Sequence, residues 1–127
     1  PQRHGLVDPD GRAGLWDHRS TEFGWTALLG DRRGGAHVEP YAAPARATDL
    51  SGLPPTFLDV GSAETFRDET VAYASRIWAH GGRAELHVWP GGFHWFAGFV
   101  PQAPVSQAAE AAGWTGSTGC WPPDPAW

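Results

Sequence analysis

Between Pro54 and Gly92 the chain reads as strand, helix, strand, each segment closed by turn residues, and that order admits few folds. Pro54-Pro55-Thr56-Phe57-Leu58-Asp59-Val60 is short, β-branched and apolar, and Gly61-Ser62 closes it. A helix is expected from about Arg67 to about His80. It gathers Phe66, Val71, Ala74, Ile77 and Trp78 on roughly one face, carries Asp68 and Glu69 near its positive end, and stops at Gly81-Gly82. Ala84-Glu85-Leu86-His87-Val88-Trp89 then alternates as a strand packed on one face would, and breaks at Pro90-Gly91-Gly92. Two strands joined by one crossover helix pair in parallel, so the expected class is α/β.

Two residues with chemistry follow the two strands. Glu64 lies in the turn after the first, and His94 lies just beyond the break that ends the second. Parallel strands would project both from one edge of the sheet, the edge at which sites assemble in open α/β folds. A carboxylate there can hold an imidazole in the tautomer that accepts a serine proton. Position alone also fits plainer roles, a solvated helix cap for Glu64 and a surface histidine for His94.

The residues resemble the α/β-hydrolase fold-3 family, the hormone-sensitive-lipase-like esterases. The likeness runs through Tyr41-Ala42-Ala43-Pro44, Asp49-Leu50-Ser51-Gly52-Leu53-Pro54-Pro55, Val60-Gly61-Ser62-Ala63-Glu64, Phe66-Arg67-Asp68-Glu69 and Val88-Trp89-Pro90-Gly91-Gly92-Phe93-His94. It covers the chain from about Leu15 to about Ala109. The resemblance implies the C-terminal part of an α/β-hydrolase fold, with its last parallel strands and an incomplete sheet. It implies a carboxylesterase or lipase-like hydrolase acting on a small-molecule ester, with Glu64 as triad acid and His94 as general base. A homodimer of the full-length enzyme is a further expectation.

The chain departs from that pattern in three places. It has neither the Gly-x-Ser-x-Gly nucleophile elbow nor the His-Gly-Gly oxyanion loop, so the isolated chain is expected to be inactive. A near miss, Thr115-Gly116-Ser117-Thr118-Gly119, has threonine in the first glycine's place and follows His94, against the fold's Ser–acid–His order. The acid is Glu64 where most relatives have Asp, and Trp95 follows His94 where relatives usually have glycine.

Length and charge agree with a piece of a larger domain. The 127 residues are about half of what a complete hydrolase sheet with its helices needs. With 9 basic and 14 acidic residues, a net charge of −5 argues against nucleic acid or an anionic membrane surface as partner. No apolar run is long enough to span a membrane, and the chain opens Pro1-Gln2-Arg3-His4 with neither methionine nor a signal-like core, which reads as a start inside a longer protein. Its single cysteine, Cys120, fits a reducing compartment, so cytoplasm is expected. His80, His87 and His94 recur at intervals of seven but would fall on a helix end, a strand and a loop, so no metal is expected. The glycine doublets match no phosphate or dinucleotide loop, so no cofactor is expected.

The flanks are less patterned. A short helix is expected from Ser20 to Gly30, capped by Ser20 or Thr21, then an irregular connector from Asp31 to Ser51 with Tyr41 as its large apolar anchor. A closing helix is expected to begin between Pro101 and Ala112. Residues 1–112 thus form the partial hydrolase domain, and 113–127, rich in Gly, Pro and Trp, an atypical disordered tail. Most of the eight tryptophans are expected to fill the core or its edge. An alternative to an enzyme is a non-catalytic remnant or assembly module pairing through the edge of strand 84–89.

Overall fold

The computed structural model describes residues 16–117. In chain order these form α1 (His18–Leu29), β1 (Thr56–Gly61), α2 (Arg67–Ala79), β2 (Ala84–Trp89), α3 (Phe96–Phe99) and α4 (Pro104–Ser117), with 3₁₀ turns at Gly30–Arg32 and Pro44–Arg46. β1 and β2 pair in parallel from Thr56 opposite Ala84 to Gly61 opposite Trp89. The strand–helix–strand reading of the sequence is therefore the observed one, with α2 as the crossover.

Strand alternation puts Leu58, Val60, Leu86 and Val88 on one face of this pair, and Phe57, Asp59, Glu85, His87 and Trp89 on the other. On the second face the His87 ring stacks on Trp89 at 5.1 Å and lies 5.4 Å from Phe57, while its Nε2 meets Glu85 Oε1 at 2.7 Å. The buried apolar set comprises Leu29, Val38, Leu50, Val60, Ala74, Ile77, Phe96 and Ala109. Ala74 and Ile77 are fully buried, which fixes the inward face of α2. Its C-terminus is tied off where Trp78 Nε1 donates to the Ala84 carbonyl at 2.9 Å, binding the helix to the first residue of β2.

Three local expectations change. α1 is capped by Asp17, not by Ser20 or Thr21: the Asp17 carboxylate accepts from the Ser20 amide at 2.8 Å and from the Ser20 hydroxyl at 2.9 Å. Those bonds hold the Asp17 carboxyl below its ordinary range. In the connector Tyr41 is fully exposed, and Val38 and Leu50 are its anchors. Arg76 of α2 then fastens the connector by donating to the carbonyls of Ala45 and Ala47. α4 runs on through Gly113 to Ser117, so the expected break at 113 does not occur; residues 118–127 of the expected tail, Cys120 among them, lie outside the described residues. Trp16, Trp25, Trp78 and Trp95 keep part of their surface exposed, at the edge of the core.

No helix among the described residues is long and apolar enough to cross a membrane.

Candidate active site

Because β1 and β2 run in parallel and in register, the loops that follow Gly61 and Trp89 leave from the same edge. Backbone bonds lace them together. The Ser62 amide donates to the Trp89 carbonyl at 2.8 Å and the Ala63 amide to the Gly92 carbonyl at 2.9 Å. The two backbones pass so closely that a Cβ on Gly61 would sit 2.1 Å from the Gly92 carbonyl oxygen. Only glycine fits at 61, for want of space and not for its backbone angle.

This lacing brings the two candidate residues into contact. Glu64 Oε2 lies 2.7 Å from His94 Nδ1, and Glu64 Oε1 accepts the Gly61 amide at 3.1 Å. The carboxylate is therefore held at both oxygens. Its side chain is 9 % exposed and the imidazole 38 %, so the carboxylate is covered while the imidazole faces outward. A carboxylate can only accept at Nδ1, so that nitrogen carries the proton and Nε2 presents the basic lone pair. The longer Glu side chain thus reaches the imidazole as an Asp would, with its second oxygen anchored to β1.

Two aromatic rings wall the imidazole. Trp16 lies 5.5 Å and Phe66 5.4 Å from the His94 ring, and the two rings are 6.4 Å apart. Neither was assigned to the site by sequence. Phe66 reads as part of the apolar face of α2, whereas Trp16, just before α1, meets an imidazole 78 residues further along the chain; no short-range pattern signals that. Trp16 Nε1 donates to Thr21 Oγ1 at 2.9 Å, which fixes the ring against its own helix.

Trp95, directly after the imidazole, sits in the left-handed region at φ 60 and ψ 29, the one non-glycine residue among those described with positive φ. The sequence departure at this position is thus a conformational one: the loop needs the angle that glycine takes freely. The Trp95 ring packs over Gly98 and meets Phe99 edge-on at 5.1 Å, contacts that offset the backbone cost. Next to it Phe96 is buried against Gly92.

The three histidines spaced by seven have three separate partners: His80 meets the Arg76 carbonyl, His87 meets Glu85 and His94 meets Glu64. Among the described residues no three His, Cys, Asp or Glu side chains gather as a metal would require. An apolar cleft of about 270 Å³ lined by Trp25, Leu29, Val38 and Ala43, with Arg33 and Arg46 at its sides, includes neither Glu64 nor His94. Both arginines already have partners, Glu22 and the Gly35 carbonyl.

Residues 5–98 match the family described as alpha/beta hydrolase fold. An acetyl-hydrolase of Streptomyces hygroscopicus is 36% identical over 75 residues, which are 58% of this chain and 25% of that protein. The carboxylesterase NlhH of Mycobacterium tuberculosis is 39% identical over 71 residues, 56% of this chain and 21% of that protein. The chain thus spans a quarter or less of the length of these curated relatives. Among solved structures, a bacterial heroin esterase aligns at TM-score 0.61 with 46% identity over 64% of this chain and 25% of its own. The esterase LipW of Mycobacterium marinum aligns at TM-score 0.76 with 28% identity over 93% of this chain and 37% of its own. With its parallel β1–β2 pair, its crossover helix and the loops that follow both strands, the chain belongs to the α/β-hydrolase fold-3 family of esterases.

Proposed function

We propose that the chain supplies the acid and the base of a Ser–acid–His carboxylic ester hydrolase, with Glu64 as acid, His94 as base and the nucleophilic serine contributed by sequence outside these 127 residues. The observation that carries this is the 2.7 Å contact between Glu64 Oε2 and His94 Nδ1 at the common edge of two parallel strands. His94 Nε2 takes the serine proton as the hydroxyl oxygen attacks the acyl carbon. Glu64 holds the imidazole in the tautomer that leaves Nε2 basic, and its covered charge stabilises the imidazolium formed as the proton arrives. That proton then passes to the departing alcohol, and water repeats the sequence on the acyl-serine. The substrate is a small ester, and the aromatic walls Trp16 and Phe66 suit an apolar group beside the base. A cytoplasmic setting fits the single cysteine.

The test is gain of function. The purified 127-residue chain is expected to show no turnover of a short acyl p-nitrophenyl ester. Grafted in place of the matching segment of a relative that carries a nucleophile elbow, it is expected to give an active hydrolase. Turnover by the isolated chain that disappears in His94→Ala would overturn the claim that the nucleophile lies elsewhere.

A further inference from the structure

We propose that Ser62 is a positioning residue that holds the two loops at the distance at which Glu64 meets His94; the inference rests on the acid–base reading of that pair. Ser62 stands outside the pair, yet each of its polar groups is engaged with a different neighbour. Its amide donates to the Trp89 carbonyl, the last residue of β2, at 2.8 Å. Its hydroxyl oxygen accepts the Gly91 amide at 2.8 Å, in the turn that leads to His94. Its carbonyl accepts from Arg67 Nη1 at 3.0 Å, at the first residue of α2. The Arg67 guanidinium is set for this by its ion pair with Asp68 at 2.7 Å, which holds the Asp68 carboxyl below its usual range.

One residue thus fastens the end of β2, the turn beyond it and the start of α2. Of these bonds only the hydroxyl one depends on the side chain. Gly91 sits at φ 73, and the next residue, Gly92, is pressed against Gly61. Removing the hydroxyl frees the Gly91 amide, so the turn carrying His94 can swing while the β1–β2 ladder and the Ser62 backbone bond stay in place. Sequence alone gives Ser62 no such role, since it reads there only as a turn residue closing β1.

The experiment is proton NMR of the purified chain with ¹⁵N-labelled histidine, reading the His94 Nδ1 proton. A proton shared with a carboxylate resonates far downfield and exchanges slowly. In Ser62→Ala the resonance is expected to move upfield and exchange about tenfold faster, the scale of one lost hydrogen bond. Ser62→Thr, which keeps the hydroxyl, restores it, and slow exchange of the Val60 and His87 amides reports that the strands remain paired. Ser62→Cys, a poorer acceptor of the same shape, falls between Ser and Ala and serves if the alanine variant unfolds. Wild-type behaviour of the Nδ1 proton in both the alanine and cysteine variants would overturn the role of Ser62. Glu64→Gln separates the two ideas: if the downfield proton survives that change, or is missing from the wild type, the acid–base reading itself fails and the role of Ser62 falls with it.

Discussion

Glu64 and His94 were legible in the sequence because each directly follows a strand whose end is punctuated by glycine, so chain order alone places them at one edge. Trp16 was not, because its contact is with an imidazole 78 residues away in the chain and depends on no local spacing. Trp95 lies between these cases. A residue in the left-handed region costs about 1–2 kcal/mol unless it is glycine, while the edge-on contact with Phe99 returns about 0.5–1.5 kcal/mol. Trp95→Gly should therefore leave stability within about 1 kcal/mol of the wild type. Trp95→Val, which forces a β-branched residue into the same angle and keeps no ring, should lose about 2 kcal/mol or more. Urea denaturation of both variants checks the pair, and equal losses would show that the angle is not what matters.

At the scale of elements, α2 and β2 were read almost to the residue because apolar periodicity, acidic first turn and glycine stops agree. α1 was misjudged at its start because Asp17, Ser20 and Thr21 are all competent caps, and only the geometry shows Asp17 accepting while Ser20 donates. α4 passes Gly113 and Gly116 because each glycine costs only about 1 kcal/mol in a helix, and the alanine-rich turns before them, with Ser106 and Ala109 buried, hold the helix in place. Tyr41 misled because an aromatic residue in a polar stretch suggests an anchor, whereas Val38 and Leu50 do the anchoring.

Ile77→Ala, at a fully buried position on α2, should cost about 2–5 kcal/mol in urea denaturation. Asp17 carries a folded-state pKa below its ordinary 3.8, so the stability it lends α1 is complete above that value and is lost as pH falls through the lower, folded pKa. Helical circular dichroism should accordingly decline on acidification below about 3.8. Asp17→Asn, which caps without titrating, should remove that part of the decline.

Taken whole, the described residues form one crossover unit of a larger sheet, with only two strands hydrogen-bonded to each other. Among the described residues neither outer edge pairs with a further strand, and Phe23, Leu28, Trp78, Trp95 and Phe99 expose apolar surface. The isolated chain should self-associate as its concentration rises, which sedimentation velocity would register as a shift to larger species. A sedimentation coefficient independent of concentration would show that these surfaces are tolerated in water. The family likeness covers a quarter or less of the curated relatives' length.

In the function proposed above, Glu64 and His94 act as a pair on a serine that lies outside both. The most direct measurement is ester hydrolysis by a graft of this chain onto the elbow-bearing part of the Mycobacterium tuberculosis carboxylesterase, after circular dichroism has established that the graft and its variants fold. His94→Ala in that graft should lower kcat on the order of 10⁴-fold or more, and Glu64→Gln should lower it by a comparable factor with little change in KM. A folded graft whose turnover is unchanged by either substitution would contradict the account.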